Sequence, residues 1–402
     1  MSSATFAVQD SPLDRLILAI GTRMMPRHLR GRLRLTLPSG RVVEVGNGQS
    51  GVSAEIHLKS YRPVWASMRR ASVGFAASYI DGHWDSPDIA ALLRFYLQNR
   101  SQLDQASKPV FFSSVADRVW HLLRDNDRAR ARKNIEAHYD LGNDFYRLWL
   151  DGTMTYSAAC FNSRDQSLED AQHAKYAAVC DALELGAGQE ILEIGCGWGG
   201  FAEAAAARSA KITGITLSAE QLVYARNRLG GKAELRLEDY RDTAGAFDGI
   251  ASIEMIEAVG EAHWPRYFQV LADRLKPGGA AVLQAITIDE RWFPQYRRSA
   301  DFIQRYIFPG GMLPTRSAMK DNAARAGLDF EMVASFGHDY ARTLDLWRRN
   351  FESSWDHIAA LGFDEKFRRK WRFYLDYCKA GFLENAIDVG IYRFRKLTAA
   401  NS

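Results

Sequence analysis

Several features that would define common protein classes are missing from this sequence of 402 residues. Its four cysteines, Cys160, Cys180, Cys196 and Cys378, show no CxxC spacing, which argues against a zinc site or a disulfide framework and favours a reducing cytoplasm. No apolar run reaches the roughly 18 residues of a transmembrane helix, and the first residues lack the apolar core and cleavage site of a signal peptide. The net charge at pH 7 is +4, so the overall electrostatic field is modest. The remaining composition is that of a globular protein long enough for two domains.

A glycine-rich stretch at residues 189–201 is the most informative part of the chain. Ile191, Leu192 and Ile194 predict a short buried strand, and the residues from Ala202 onward are strong helix formers. Between them stand the glycines Gly195, Gly197, Gly199 and Gly200. Glycine is needed where the backbone turns sharply and approaches a ligand, because a Cβ atom would collide. The stretch therefore predicts a nucleotide-type site at the carboxyl end of the first strand of an α/β sheet.

The spacing of these glycines fits two kinds of nucleotide site. Gly195, Gly197 and Gly200 satisfy the G-x-G-x-x-G pattern of dinucleotide enzymes. Residues 193–199 also match E-x-G-x-G-x-G, which resembles the S-adenosylmethionine loop of class I methyltransferases. A dinucleotide enzyme needs an acidic residue at the end of its second strand, but none occurs there before Glu220. The glutamate that opens the motif would repel a pyrophosphate, whereas it suits a cationic sulfonium ligand. The sequence favours a methyltransferase over a dehydrogenase, with a ligand-free glycine turn as the third alternative.

Strands and helices alternate along the second half of the chain. Apolar runs predict further strands at 211–216, 233–237, 247–253 and 280–286. Residues 274–279 predict a turn into the last strand, and Ser218 can cap a helix with Gln221 as its partner three residues on. This alternation predicts an α/β fold: a Rossmann-like class I methyltransferase domain with a mainly parallel, doubly wound sheet.

The N-terminal quarter shows a different pattern. Apolar residues share one face of a predicted helix at 11–25, and residues 33–45 predict a β-hairpin. We expect a small α+β domain at 1–110 that engages lipid or a membrane, a helical linker at 111–135, and a catalytic domain with acyl-binding insertions at 136–402. A basic amphipathic helix can lie on an anionic membrane surface, but an ordinary packed helix with a solvated face has the same pattern.

Five segments carry a family resemblance. They are His-Tyr-Asp-Leu-Gly-Asn-Asp-Phe-Tyr at 138–146, Met-Thr-Tyr-Ser at 154–157, Leu-Glu-Ile-Gly-Cys-Gly-Trp-Gly-Gly at 192–200, Gly-Ile-Thr-Leu-Ser-Ala-Glu-Gln at 214–221 and Tyr-Ile-Phe-Pro-Gly-Gly at 306–311. Together they resemble the cyclopropane-fatty-acyl-phospholipid synthases and the mycolic acid cyclopropane synthases, over about 130–395. The N-terminal domain resembles, more weakly, the lipid-engaging domain of the bacterial phospholipid enzymes.

The resemblance implies that the sulfonium methyl group of S-adenosylmethionine is transferred to the cis double bond of an unsaturated phospholipid acyl chain, forming a cyclopropane through a carbocation. Such a cation must be kept from water, and aromatic faces can stabilise it. A base must remove a proton from the new methyl group before the ring closes. The resemblance implies bound bicarbonate as this base. We further expect an anionic membrane surface as partner, no nucleic acid, a homodimer, and a cytoplasmic protein associated peripherally with the inner face of the membrane.

The match to the family motifs also implies which residues form the site. The implied cofactor-binding residues are Tyr156, Ser157, Glu193, Gly195, Gly197, Gly199, Thr216, Leu217, Gln221, Asp239 and Tyr240. Thr216, Leu217 and Gln221 would meet the ribose, and Asp239 and Tyr240 the adenine. The implied catalytic residues, which would hold bicarbonate, are Glu257, Tyr340, Gln284, Ile286 and Ala158, with no metal. Packing alone is the alternative role for Tyr240, Ile286 and Tyr340.

The implied bicarbonate site departs from the family at three positions. Ala158 stands where the family has cysteine, Ala258 where it has histidine, and Gln284 where the histidine that binds bicarbonate is expected. Glutamine can hydrogen-bond an anion, but it cannot carry a positive charge or relay a proton. The alternative is therefore methyl transfer followed by proton loss from a neighbouring carbon, which gives a methyl-branched or methylene chain without a ring. Glu254 has no match in the family pattern, so Glu257 is preferred, and both could flank a solvated turn.

Two other classes of protein stay open at this point. One is a small-molecule methyltransferase on the same fold, and the motifs outside the glycine loop argue against it. The other is a non-catalytic membrane-binding or scaffolding protein, against which the intact glycine loop and Glu257 argue. Binding of the cofactor distinguishes an enzyme from a scaffold.

Overall fold

The computed structural model describes residues 28–46, 48, 50–107 and 141–397, with a few single residues nearer the N-terminus. The predicted helix at 11–25 lies almost wholly outside these residues, as do the whole linker at 111–135 and the first three residues of the 138–146 motif. By their contacts the residues form two compact units. One combines the chain before residue 116 with Phe363–Glu384, and the other combines 116–362 with Asn385–Ser402.

A four-stranded sheet underlies the first unit. Its strands are β1 (Arg32–Thr36), β2 (Val42–Val45), β3 (Ser53–Leu58) and β4 (Trp84–Asp85), in the order β2-β1-β3-β4. Strands β1 and β2 pair antiparallel, which confirms the predicted hairpin. Helices α1 (Arg62–Ile80) and α2 (Ile89–Ser107) complete the unit with the helix Glu365–Leu383, which packs against both. Trp84 is fully buried and stacks on Phe75 at 4.4 Å between ring centroids.

Seven strands form the sheet of the second unit. They are β5 (Glu190–Ile194), β6 (Lys211–Thr216), β7 (Glu234–Leu237), β8 (Phe247–Ile253), β9 (Leu275–Ile288), β10 (Leu328–Ser335) and β11 (Ile387–Lys396). Their order is β10-β11-β9-β8-β5-β6-β7. Strands β5 to β9 pair parallel, and β11 runs antiparallel to both β9 and β10. The predicted fold class, with its mainly parallel sheet, is confirmed.

Helices cover both faces of this sheet. They are α3 (Asn143–Arg147), α4 (Leu168–Ala182), α5 (Gly200–Ala207), α6 (Ala219–Leu229), α7 (Trp264–Arg274), α8 (Phe293–Tyr296), α9 (Phe302–Tyr306), α10 (Arg316–Arg325), α11 (Gly337–Ser353) and α12 (Trp355–Ala360), with 3-10 turns at Ile256–Ala258 and Glu261–His263. Successive strand residues point to opposite faces, so Ile191 and Leu192 belong to two different buried apolar clusters. Ser218 caps α6 as predicted, because its Oγ accepts the Gln221 N–H at 3.3 Å. Within the described ranges, no helix is long and apolar enough to span a membrane.

Strand β9 begins earlier than the sequence predicts. Leu275 already pairs with Phe247, whereas the next pair joins Ala280 to Gly249. The residues between these pairs leave the ladder, and Gly278 there has a φ of +78°. The predicted turn at 274–279 is therefore a bulge inside a longer strand.

Candidate active site

The order of the strands determines where a ligand can bind. After β5, the chain forms β6 and β7 on one side of β5 in the sheet. It then crosses over and forms β8 on the other side of β5. In open α/β sheets this reversal opens a crevice at the carboxyl ends of the strands. The glycine loop follows β5 and the segment with Glu254 and Glu257 follows β8, so both segments lie at the crevice.

The glycine loop forms a backbone cradle at this crevice. Gly195, Gly197 and Gly199 have φ values of +81°, +51° and +86°, which L side chains rarely adopt. A Cβ atom on Gly195 would lie 3.2 Å from the side chain of Met255, whereas Gly197 has open space above it. The N–H groups of Gly195 and Cys196 both donate to the Ile215 carbonyl at 2.9 Å, which fixes the loop against β6. This geometry fits close approach of the methionyl end of S-adenosylmethionine.

Glu193 lies in β5 beneath the loop and is 3% exposed. Burial raises the pKa of its carboxyl to about 8, and the nearby Lys175 ammonium and the Ala202 N–H oppose that rise. Its Oε2 atom is buried and lacks a hydrogen-bond partner within the described residues. An ammonium group bound near this carboxyl would favour its ionised form.

The predicted ribose and adenine residues follow β6 and β7. The Thr216 hydroxyl contacts Gln221 Oε1 at 3.3 Å, so these two residues are brought together with Leu217 between them in the chain. Asp239 accepts two side-chain N–H groups and the backbone N–H of Arg241. The Tyr240 ring lies 5.3 Å from that of Tyr267, so packing accounts for part of its contacts.

Tyr156 belongs to an aromatic cluster beside the crevice. Its ring centroid lies 5.4 Å from Tyr146, 5.5 Å from Trp149 and 5.3 Å from Trp347. Tyr340 extends the cluster, at 6.0 Å from Trp347. Aromatic faces of this kind can stabilise a cation that develops close to them.

Lys175 is a buried cation behind Ser157, and the sequence interpretation missed it. It is fully buried on α4, and its Nζ donates to Ser157 Oγ at 2.7 Å. Gln172, one turn earlier, donates to the Ser157 carbonyl at 2.9 Å. Burial lowers the Lys175 pKa to about 8 against the attraction of several acidic groups, of which Glu254 acts most strongly. The sequence around Lys175 is that of an ordinary helix, so it does not predict that the ammonium is buried beside Ser157.

Glu254 is the centre of the hydrogen bonds at the end of β8. Its Oε1 accepts the Ala158 backbone N–H at 2.8 Å and the Gln284 side-chain amide at 2.7 Å, and its Oε2 accepts the Tyr340 hydroxyl at 2.7 Å. Three of the five predicted catalytic residues thus converge on a glutamate that the sequence interpretation had passed over. The solvated-turn interpretation of Glu254 is wrong.

Glu257 lies nearby with a different partner. Its Oε1 accepts the Ile286 backbone N–H at 2.5 Å, while Oε2 is buried without a partner in the described part of the chain. Burial, and then the negative charge of Glu254, raise the Glu257 pKa to about 8. The structure therefore divides the predicted catalytic set: Ala158, Gln284 and Tyr340 meet Glu254, whereas Ile286 meets Glu257.

The implied bicarbonate does not fit this arrangement. An anion held by the Ala158 N–H, Gln284 and Tyr340 would need the donors that already bind the Glu254 carboxylate. It would also meet the like charge of that carboxylate. The site is therefore built for a carboxylate of the chain itself.

The fold and the glycine loop define a class I S-adenosylmethionine-dependent methyltransferase. Residues 126–391 match the family model of mycolic acid cyclopropane synthetase. The chain belongs to this family.

Curated relatives extend the likeness over most of the chain. A tuberculostearic acid methyltransferase of Mycobacterium tuberculosis is 40% identical over 341 residues, covering 80% of this chain and 78% of that protein. The cyclopropane-fatty-acyl-phospholipid synthase of Escherichia coli is 34% identical over 335 residues, covering 82% of this chain and 84% of that protein. Among solved structures, a mycolic acid cyclopropane synthase complexed with SAH and CTAB is 30% identical, with a TM-score of 0.62 over 66% of this chain and 98% of that one.

Proposed function

We propose that this enzyme methylates the cis double bond of an unsaturated phospholipid acyl chain and releases a methyl-branched or methylene product without closing a ring. S-adenosylmethionine supplies the methyl group. The alkene carbon attacks that group, which leaves a carbocation on the neighbouring chain carbon. Loss of a proton from a chain carbon next to the cation gives a methyl-branched alkene. A hydride shift from the methylated carbon to the cation, followed by loss of a proton from the methyl group, gives the methylene product. The residues around Tyr156 exclude water and face the cation with aromatic rings.

One observation carries the proposal: the Glu254 carboxylate takes the donors that the resemblance assigns to the ring-closing base. The glycine loop has the backbone geometry that methyl transfer needs. The altered donors around Glu254 would therefore affect the removal of the proton, which follows methyl transfer. Gln284 cannot relay a proton as histidine can. Relatives named for fatty acid methylation support this proposal, because the tuberculostearic acid methyltransferase and a probable fatty acid methyltransferase of Pseudomonas putida are each 40% identical to this chain.

Cyclopropane formation is the second candidate. Glu257 keeps its contact with the Ile286 backbone, and Tyr340 still lies at the site. The likeness to the E. coli cyclopropane synthase covers 82% of the chain. This candidate differs from the first in where the electron pair of the broken C–H bond goes: it closes a C–C bond of the ring instead of forming a C=C bond.

Proton NMR of the lipid product distinguishes the two candidates. The protein of 402 residues is incubated with S-adenosylmethionine and vesicles of cis-monounsaturated phosphatidylglycerol, and the lipid is then extracted. We expect new signals of a vinylic methylene group or of a branched methyl group, which the cis-alkene substrate lacks. Upfield ring-methylene signals would establish the second candidate instead, and unchanged lipid would overturn both.

A loop variant controls for adventitious chemistry in this assay. Gly197→Val places a branched side chain at a φ of +51°, in the space where the cofactor would approach. We expect this variant to lose binding of S-adenosylhomocysteine and to form no product. If the wild-type protein itself failed to bind S-adenosylhomocysteine, a scaffolding role would be favoured.

A further inference from the structure

Glu254 has the backbone geometry of a placed functional residue. It follows β8 directly, with a φ of +51°, a left-handed conformation that a non-glycine residue holds at some cost. Its own N–H donates to the Gln284 carbonyl at 2.7 Å, which ties its backbone to β9. The strained backbone therefore directs the carboxylate towards the crevice side of the sheet.

The partners of Glu254 favour an ionised carboxylate. The Ala158 backbone N–H and the Gln284 Nε2–H group both donate to Oε1. Gln284 Nε2 also lies 3.5 Å from the Ala158 carbonyl, which orients its amide with both protons towards acceptors. A negatively charged Oε1 satisfies these donors, whereas a proton on Oε1 would collide with them. The Tyr340 hydroxyl donates to Oε2, which also favours the charged form.

The titratable groups that face Glu254 come from three elements. Lys175 on α4 supplies a fully buried positive charge, Tyr340 on α11 donates its hydroxyl, and Glu257 follows in the same segment as a second carboxyl whose pKa is raised. Lys175 and the hydrogen bonds favour the charged form of Glu254, and burial opposes it with a net rise in pKa. A buried carboxylate with a raised pKa is a stronger proton acceptor than one in water.

We propose that Glu254 is itself the base of the reaction and takes the place of bicarbonate, an inference that rests on the proposed methyl transfer. After the methyl group leaves sulfur, Glu254 accepts a proton from a carbon next to the cation. The electron pair of that C–H bond forms the new C=C bond, and S-adenosylhomocysteine and one proton are the other products. The protonated carboxyl returns its proton to solvent before the next turnover. Turnover is therefore independent of bicarbonate.

Glu254→Gly is the sharpest test, because glycine adopts a φ of +51° without strain and the change opens the pocket. The wild-type protein is expected to turn over equally in buffer freed of carbon dioxide and in buffer with added bicarbonate. Loss of a general base lowers a rate by about 100- to 10,000-fold, so E254G should fall by that order in depleted buffer. Bicarbonate or formate should then restore much of the rate, because either anion can enter the vacated site and meet its three donors.

Two further variants keep the test decisive. Glu254→Gln fills the pocket without a basic group, so it should be slow and should not respond to either anion. Glu184→Gly changes an exposed glutamate that also has a left-handed φ, of +55°, and should behave as the wild type. Binding of S-adenosylhomocysteine by each variant confirms that the site is folded.

The outcomes separate the base assignment from the proposed product. Dependence of the wild type on bicarbonate, or full activity of E254G without it, would overturn the assignment of Glu254 even if a branched product forms. A ring product made without bicarbonate, with E254G rescued by formate, would keep Glu254 as the base and reject the branched product. No lipid product from the wild type would reject both.

Discussion

Replacing Lys175 by methionine tests whether the buried ammonium prepares Ser157 for the cofactor. An ammonium has no acceptor, so Ser157 Oγ must accept from Lys175 at 2.7 Å and its own proton points elsewhere. Within the described residues, no acceptor takes that proton. We propose that it is donated to an acceptor group of the bound cofactor. Methionine keeps the length and apolar stem of lysine but removes the charge and the donor.

The size of the effect follows from the type of hydrogen bond that the substitution removes. A hydrogen bond to a charged group contributes about 1.5–3 kcal/mol. If this bond maintains the orientation of the Ser157 hydroxyl, K175M should weaken binding of S-adenosylhomocysteine by about 10- to 100-fold. Methionine avoids the desolvation cost of the buried ammonium, but it also removes the attraction of that ammonium to acidic groups, of which Glu254 acts most strongly. The melting temperature of the apoprotein is therefore measured alongside, which distinguishes a loss of fold from a loss of affinity.

Calorimetric titration with S-adenosylhomocysteine measures this prediction in K175M, S157A and the double variant. We expect the double variant to bind no more weakly than the weaker single variant, because both changes remove the same donor. Lys320→Met, at an exposed position on α10, is the matched control and should leave the affinity unchanged. Additive effects of K175M and S157A would refute the reasoning.

The pH dependence gives an independent measure of the same hydrogen bond. Burial lowers the Lys175 pKa to about 8, so the amine becomes neutral as the pH rises through that value. A neutral amine can accept the Ser157 proton and withdraw it from the cofactor. Wild-type affinity should therefore fall between about pH 7 and pH 9, and K175M should lack this part of the change. A parallel pH profile in both proteins would count against the mechanism.

Three other predictions follow from buried or exposed groups elsewhere. Burial raises the Glu257 pKa from 4.5 in the unfolded chain to about 8, so the folded protein holds a proton that the unfolded chain has released and loses stability as the pH rises through this range. E257Q should therefore raise the melting temperature at pH 8 but not at pH 4.5, and an equal gain at both pH values in scanning calorimetry would contradict this. A Cβ atom on Gly200 would lie 2.4 Å from the Tyr176 hydroxyl, so G200A should cost about 1–3 kcal/mol of unfolding free energy in denaturant titration, and a neutral effect would show that the ring moves freely. Trp65 is 49% exposed on α1, so if this unit binds membranes, W65S should weaken sedimentation with anionic vesicles several-fold; unchanged binding would place the contact elsewhere.

The sheet was largely predictable because its signals are local. Strands β6 and β8 have the predicted bounds, and Ser218 caps its helix with the predicted partner. Each of these features depends on residues within a few positions of one another. The bulge in β9 was not predictable in this way, because a proline and two glycines indicate a turn whether or not the chain continues in the same strand.

The centre of the site escaped prediction because its contacts are long-range. Glu254 meets Gln284, Tyr340 and Ala158, which lie 30, 86 and 96 residues away in the chain. Motif matching selected Glu257, since that residue fits the family pattern and Glu254 does not. A usable signal was still present: an acidic residue directly after a strand beside β5 stands where the sheet places its ligands.

Glu254 and Gln284 form a matched pair, so their substitutions should not act independently. Gln284 donates to Glu254 Oε1 and stays neutral, which leaves the carboxylate basic. A protonated histidine at the same place would form an ion pair with Glu254 and lower its pKa, so Q284H alone should slow turnover without opening an anion site. The double variant E254G/Q284H both vacates the pocket and supplies a side chain that can relay a proton. It should depend on bicarbonate and form a larger ring fraction than the two single variants together, as measured by proton NMR of the lipid. If the ring fraction in the double variant equals the sum of the single effects, the two residues act separately and the pairing argument fails.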